Sequence, residues 1–190
     1  MRTVVSESYS SRARGGIHEL LDLETARAVA EHLSDVHESL EQGEGVAGPA
    51  ARRLIDSARE QHRRFGGLIT TPRQAKALLE DPALTVFEDP AAYLICNYEP
   101  SRALCNPASG PGPANTPSLD RCRDGCPNIA RTDAHAAGLR RAAGALRLQA
   151  EASPTPEPVA DRLRHRAGQL AAQADEHDRS RLTPTTQDLA

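Results

Sequence analysis

The chain has 190 residues and is 38% hydrophobic, yet it has no Trp, only two Phe and a formal net charge of -3. This charge excludes a general basic excess that would attract the protein to phosphate backbones. No apolar run approaches the roughly 20 residues that span a bilayer, and Met1 to Ser11 lacks the apolar region of a signal peptide. We therefore expect a cytoplasmic, non-membrane protein whose four cysteines stay reduced.

Apolar periodicity predicts three helices in the first half of the chain. Residues 1–16 are polar and rich in Ser, Arg and Gly, and we expect a flexible arm there. Apolar side chains then recur at steps of three and four over 17–40, which is typical of a helix. A second helix is expected over 49–65, with a proline in its first turn and two glycines after its end. Thr71-Pro72-Arg73-Gln74 has the form of a capping box and begins a third helix that ends near Glu80.

The middle of the chain has weaker periodicity and more turn residues. We expect a short segment of extended backbone at Leu84 to Phe87. Asp89-Pro90 is a second cap-and-proline pair, and it starts a turn that leads into Tyr93-Leu94-Ile95-Cys96. Asn106 to Ser118 is a loop of Pro, Gly, Ser and Asn.

Two long helices are predicted at the end of the chain. Apolar residues recur at near-heptad spacing in both, with Ile129 starting the first set and Ala160 the second. The break between them, Ser153-Pro154-Thr155-Pro156, is short. Because short connections join antiparallel neighbours, these helices should form a hairpin that resembles a two-stranded coiled coil.

The predicted fold class is therefore mostly α, with a thin core. Much of the apolar content is Ala, which contributes little at roughly 25 cal/mol per Å² buried, and thin cores usually need a staple. The predicted units are a flexible arm at 1–16, a small helical domain at 17–127 with a four-cysteine zinc knuckle at 96–126, the helical hairpin at 128–181 and a disordered tail at 182–190.

The strongest functional signal is the set of four cysteines, Cys96, Cys105, Cys122 and Cys126. Their spacing is C-x8-C, then 16 residues, then C-x3-C. Four thiolates complete a tetrahedral zinc shell and leave no open position, so the sequence predicts a structural site and not a catalytic one. Gly125 should allow the bend between the last two ligands.

Other interpretations of the cysteines stay open at this stage. An iron–sulfur cluster also takes four cysteines, and free thiols are often buried as small apolar groups or act in redox chemistry. Cys96, next to Leu94 and Ile95, is the least secure ligand. If it only packs, His135 is the substitute, about two turns into a helix that begins near Asn128.

The remaining candidates favour surface roles over chemistry. His32 and His37 are five residues apart, so they do not share a helix face as two metal ligands would. Arg52-Arg53 and Arg63-Arg64 form a basic patch on the second predicted helix, and the hairpin carries more arginines. Interspersed Asp and Glu favour a solvated helix face over a phosphate-binding one. We find no phosphate-binding glycine loop and no general base beside the cysteines.

Several segments together resemble the C-terminal region of large integrase-like proteins of actinobacteria, which are related to tyrosine site-specific recombinases. The resemblance extends from about Tyr9 to Arg181. It is carried by Leu68 to Leu79, Asp89-Pro90, Asn97-Tyr98 to Ala103-Leu104-Cys105, Leu119-Asp120-Arg121-Cys122 to Cys126, and Asn128-Ile129-Ala130-Arg131-Thr132-Asp133.

This resemblance implies a role in DNA integration or recombination. In such recombinases a nucleophilic tyrosine acts with arginines, a lysine and histidines, and Tyr9 is the residue here that would match the end of that core. The rest of the core is absent from this chain, so nothing activates the Tyr9 hydroxyl. We expect no catalysis by this chain alone, and interpret it as an appended module or a fragment of one.

Three functional hypotheses follow. The leading one is a non-catalytic, zinc-stapled integrase module that contacts duplex DNA, the recombinase core or a second copy through the hairpin. A redox- or metal-responsive regulator would use the same thiols as its sensor. The third is a helical scaffold with purely structural cysteines.

Overall fold

The protein is mostly helical, but it also contains a four-stranded antiparallel sheet. The computed structural model describes residues 4–105, 116–152 and 154–185, with the backbone alone described for 4–18. The helices are α1 (Val4–Glu41), α2 (Ala51–Phe65), α3 (Pro72–Leu79), α4 (Asp133–Glu151) and α5 (Glu157–Ser180). The strands are β1 (Val46–Ala47), β2 (Val86–Asp89), β3 (Leu94–Asn97) and β4 (Ile129–Thr132).

The first three helices agree with the predicted periodicity and caps. The helix expected from Ile17 begins at Val4, so its backbone also runs through most of the segment predicted as an arm. α2 ends at Gly66, which adopts the left-handed conformation with a φ of 57°. The capping box of α3 is confirmed, because the Thr71 side chain accepts from the Gln74 backbone N–H while the Gln74 side chain accepts from that of Thr71.

The sheet corrects the prediction for residues 17–127, in which only Leu84 to Phe87 is extended; that segment overlaps β2, and the other strands are not predicted. Its strand order is β1-β4-β3-β2, and every neighbouring pair is antiparallel. The Asp89-Pro90 turn joins β2 to β3, and the Asp89 carboxylate accepts from the N–H groups of Ala91 and Ala92, each at 3.1 Å. The predicted turn is therefore the loop of a β-hairpin.

The start of the helical hairpin also differs from prediction. Ile129 lies on β4 and pairs with Cys96, and α4 begins only at Asp133. α4 and α5 then pack antiparallel, since the N-terminal end of α4 meets the C-terminal end of α5 through Asp133 and His177 (2.7 Å). No helix within residues 4–105, 116–152 and 154–185 is long and apolar enough to cross a membrane.

Asp133 connects the start of α4 and the end of α5 to the segment that precedes β1, the edge strand of the sheet. Burial alone would raise its pKa, but hydrogen bonds from Arg181, His177 and the Gly45 N–H outweigh that effect and lower the pKa to about 2. Leu182, at the start of the predicted disordered tail, exchanges two backbone hydrogen bonds with Val46 (2.9 and 2.8 Å). The first residue of that tail is therefore bound to β1, while residues 186–190 lie outside the described structure.

Three apolar clusters lie within the described residues, and the two that pack the helices are rich in alanine. The larger one lies between α1, α2, α3 and the sheet, with Leu33, Leu54 and Leu78 among its buried residues. The smaller one lines the hairpin. Its buried members are Ala136, Leu139, Ala143, Ala167, Leu170 and Ala174. Such side chains contribute little area each, so polar contacts carry more of the orientation between elements than they would in a core of large residues.

We expect Gly138→Ala to destabilise the protein although alanine favours helices. A Cβ at Gly138 would meet Cδ1 and Cε1 of the Tyr93 ring at 2.5 Å. Tyr93 has a φ of 54°, so its backbone is already in an unfavourable region. Overpacking should cost about 1–3 kcal/mol, which exceeds the roughly 1 kcal/mol that alanine gains over glycine in a helix.

Gly144→Ala is the matched control on the same helix, because nothing lies within 4 Å of its Cβ position. Urea unfolding should show lower stability for the first variant and equal or higher stability for the second. Equal gains in both would contradict the packing of Tyr93 on α4.

Candidate functional site

Cys96 lies on β3, which has a hydrogen-bonded neighbour on each side. It pairs with Phe87 of β2 and with Ile129 of β4. Its side chain is buried in a small apolar cluster that includes Leu94 and Tyr98. Two strand pairings therefore fix the backbone of Cys96 independently of any ligand.

Cys122 and Cys126 lie on either side of a tight turn. The Cys122 N–H donates to the Leu119 carbonyl and the Cys126 N–H donates to the Arg123 carbonyl, both at 3.1 Å. Gly125 has a φ of 82°, which glycine adopts without steric cost. The backbone N–H of Arg123 also donates to the Cys122 thiol, an interaction that favours its thiolate form. The bend at Gly125 is therefore as predicted.

Cys105 reaches the same region from a third segment. It follows the short 3-10 turn Pro100–Arg102 and is buried. Burial, and then negative charge at Cys105 and Cys96, raise the pKa of the Tyr98 phenol. Cys105 is thus close to Tyr98 and to the strand that carries Cys96.

These four cysteines, which we call the thiol cluster, are free thiols within electrostatic reach of one another. Burial is the main cause that raises the pKa of Cys96 to about 12, and charge at Cys122, Cys126 and Cys105 adds to it. Burial, followed by Cys126 and Cys105, also raises the pKa of Cys122. Charge on a neighbouring thiolate therefore disfavours ionisation of Cys96 and Cys122, and a bound cation would compensate that charge.

The four thiols lie in the same region, but they are not arranged as the ligands of a metal ion. Within the described ranges, no group of three or more His, Cys, Asp or Glu side chains is arranged to hold a metal ion. Zinc–thiolate bonds of about 2.3 Å bring four sulfur atoms close together, and neutral thiols have no comparable attraction. The donor set nevertheless suits a closed tetrahedral metal site, since all four donors are sulfur and come from one strand and two loops.

Arg53 of α2 holds the loop after Cys126 against the end of β3. Its guanidinium donates to the Pro127 carbonyl (2.9 Å), to Asn128 Oδ1 (3.0 Å) and to Glu99 Oε2 (2.8 Å). Asn128 is fully buried, and its amide donates in turn to the Glu99 carbonyl at 2.9 Å. The positive charge of Arg53 also acts to lower the pKa of Cys96, against the effect of burial. Sequence reasoning assigned Arg53 to a surface patch, because only the folded chain brings these carbonyls to it.

His135 does not serve as the substitute ligand that the sequence suggested. It is the third residue of α4, not two turns into a helix, and its Nδ1 accepts from the Thr132 N–H at 3.1 Å. Its Nε2 faces Glu88 Oε1 at 3.5 Å. His32 contacts the other oxygen of Glu88, also at 3.5 Å, while His37 is buried and stacks on His62 with ring centroids 4.2 Å apart.

Several arginines on α2 and on the helical hairpin are paired with acids. On α2, Arg63 bonds to Glu60 and Arg64 bonds to Asp81. On the hairpin, Arg140 bonds to Asp178, and Arg164 bonds to Glu157 and Asp161. These pairs agree with the interpretation of solvated, charge-balanced helix faces. The side chain of Tyr9 lies outside the described structure.

Comparison with known proteins gives no relative: no family model, no curated protein and no solved structure matches this chain.

We expect Arg53→Gln to lower stability by about 1–3 kcal/mol, because it removes charge-assisted hydrogen bonds and leaves the buried Asn128 carbonyl unsatisfied. Arg52→Gln is the control, since Arg52 is exposed on the same helix and exposed substitutions usually change stability by less than about 0.5 kcal/mol. Urea unfolding of both variants measures the difference. Equal losses would show that Arg53 does not clamp the loop.

Proposed function

We propose that the protein is a non-catalytic module in which Cys96, Cys105, Cys122 and Cys126 bind one structural zinc ion. The module would support DNA integration or recombination by a mobile-element integrase. Its contribution would be to contact another protein chain, either the recombinase core or a second copy, through the α4–α5 hairpin.

The observation that carries the zinc proposal is the convergence of four thiols from three separate segments. Burial, and then charge on the neighbouring thiols, raises the pKa values of Cys96 and Cys122, so ionisation of these two thiols is penalised. A divalent cation would reverse that penalty, because it binds the thiolate form and releases the protons. The bound ion would link β3, the Cys105 loop and the Cys122–Cys126 turn, and so supply the staple that an alanine-rich core lacks.

The same observation argues against a thiol sensor as the main role. Reactive cysteines need a low pKa and access to solvent. Cys96 and Cys122 have raised pKa values instead, and the other two thiols are buried. Four sulfur ligands would also leave no open position for a substrate, which favours a structural role. Four thiols fit an iron–sulfur cluster as well, and optical absorption in the visible range distinguishes it from colourless zinc.

The integrase proposal rests on the resemblance described above, and the position of its most specific segment supports it. Asn128-Ile129-Ala130-Arg131-Thr132-Asp133 leads from the thiol cluster through β4 into the first turn of α4. Only a few residues lie between Cys126 and α4, so zinc binding at Cys126 would constrain the orientation of the hairpin. This arrangement suits a module that presents a rigid hairpin to a partner.

Charge balance favours a protein partner over direct contact with DNA. Phosphate binding requires cationic groups that are free to replace counterions. Arg63, Arg64 and Arg140 are already paired with the carboxylates of Glu60, Asp81 and Asp178. The net charge of the chain is -3.

We expect the reduced full-length protein to carry about one zinc ion per chain. The double variant Cys122→Ser, Cys126→Ser should lose this metal and part of its helical circular dichroism, because thiolate ligation would contribute to folding. Metal content by mass spectrometry and far-ultraviolet circular dichroism test this. Ser101→Ala, an exposed serine between Cys96 and Cys105, serves as the control and should retain the zinc.

A stably folded wild-type protein that binds no zinc from a buffered zinc solution would contradict the proposal. Zinc that is released and regained through mild peroxide and thiol treatment would instead support the regulator hypothesis.

For duplex DNA, we expect weak binding at about 50 mM salt that disappears near physiological ionic strength, because the net charge is -3 and acids lie beside many of the arginines. Fluorescence anisotropy over a salt series measures this. Affinity that persists with a steep salt dependence would assign the module to the DNA surface.

A further inference from the structure

The N-terminus of α4 carries a capping box in which histidine takes the usual place of Glu or Gln. The Thr132 side chain accepts from the His135 backbone N–H (3.4 Å), and His135 Nδ1 accepts from the Thr132 backbone N–H (3.1 Å). The Thr132 hydroxyl also contacts Nδ1 at 2.9 Å. The His135 side chain is only 10% exposed, so water does not readily replace these contacts.

The bond from the Thr132 backbone N–H forms with only one protonation state of the imidazole, whereas the hydroxyl contact can run in either direction. The Thr132 N–H is a donor, so Nδ1 must present its lone pair and the proton of neutral His135 must be on Nε2. Nε2 faces the Glu88 carboxylate at 3.5 Å, which suits an N–H at that position. An imidazolium has a proton on both nitrogens, so its Nδ1 cannot accept from Thr132.

The equivalent position of α3 shows the contrast within the same chain. Gln74 Oε1 accepts from the Thr71 backbone N–H at 3.1 Å and completes the same motif. An amide oxygen does not titrate near neutral pH, so the α3 cap is insensitive to mild acid.

We infer that His135 is an acid-sensitive latch: protonation at Nδ1 opens the capping box and loosens the junction between β4 and the helical hairpin. Thr132 is both the last residue of β4 and the N-cap of α4. The latch therefore acts where the sheet meets the hairpin, and it does so independently of any metal at the thiol cluster.

The surroundings of His135 set the direction of the pH response. Burial is the main cause that lowers the pKa of His135; Glu88 of β2 opposes it, and His32 of α1 and Arg131 of β4 add to it. A histidine whose pKa is lowered in the folded state stabilises the fold fully above its unfolded pKa of about 6.5. That contribution falls as the pH drops below this value. Mild acid should therefore weaken the cap.

The test is amide hydrogen exchange at Thr132 and His135 in the full chain, followed by NMR between pH 7.5 and 5.5 with zinc present. After correction for intrinsic exchange, protection at these amides should fall by roughly fivefold, the factor expected for a lost helix cap. A local readout is needed because the chain has seven histidines. The amides of Thr71 and Gln74 provide the internal reference and should not change.

The variant His135→Gln keeps a capping acceptor without a titrating ring, and its protection should be constant over the same range. Protection that is flat in the wild type, that falls equally in the variant, or that falls equally in α3 would overturn the latch. The nitrogen chemical shifts of His135 in the wild type at pH 7.5 should show a neutral ring with its proton on Nε2. A proton on Nδ1 would also overturn the latch.

Discussion

Strand β4 is the constraint on which the other parts of the structure depend. It pairs with β1 on one side and β3 on the other. Two residues separate it from Cys126, and α4 follows it without a linker. Ala130 of this strand packs in the larger apolar core, Ile129 packs beside Cys96 and Cys126, and the helical hairpin begins at the next residue after the strand. Any change in the path of β4 would alter the thiol cluster and the hairpin together.

The contacts around β4 explain how a chain with so few large apolar residues maintains one arrangement. Arg53 fixes the loop that precedes the strand, through Pro127 and Asn128. Asp133 fixes the helix that follows it, through Arg181, His177 and Gly45. Polar groups that are partly or fully buried, as these are, cost free energy when unpaired and fix one arrangement when paired. They direct the assembly where alanine packing is too uniform to do so. Zinc at the thiol cluster would add a third fixed point.

The sequence predicts features that depend on residues close in the chain, but not those that depend on contacts between distant segments. The capping box at Thr71 and the helical periodicity of α2 depend on residues within one or two turns, so both can be predicted from the sequence. Apart from the extended piece at Leu84 to Phe87, which overlaps β2, the sequence does not predict the strands, because they have two to four residues, too few for alternation to appear. Ile129 was assigned to the helix because it extends the apolar spacing of α4, whereas its strand conformation depends on pairing with Cys96.

The candidate site shows the same division. The four cysteines and the bend at Gly125 were evident from spacing, since both concern residues close in the chain. The clamp by Arg53 depends on a helix that lies more than 70 residues before Asn128, and no local pattern indicates it. The sequence suggests His135 as a possible ligand but not as a cap, because the predicted helix begins near Asn128 and would place His135 beyond its first turn.

X-ray absorption at the zinc edge of the purified, reduced, full-length protein tests the central claim most directly. We expect a first shell of four sulfur atoms at about 2.3 Å. A shell containing nitrogen or oxygen in place of sulfur, or the loss of all zinc on desalting, would contradict the structural zinc site.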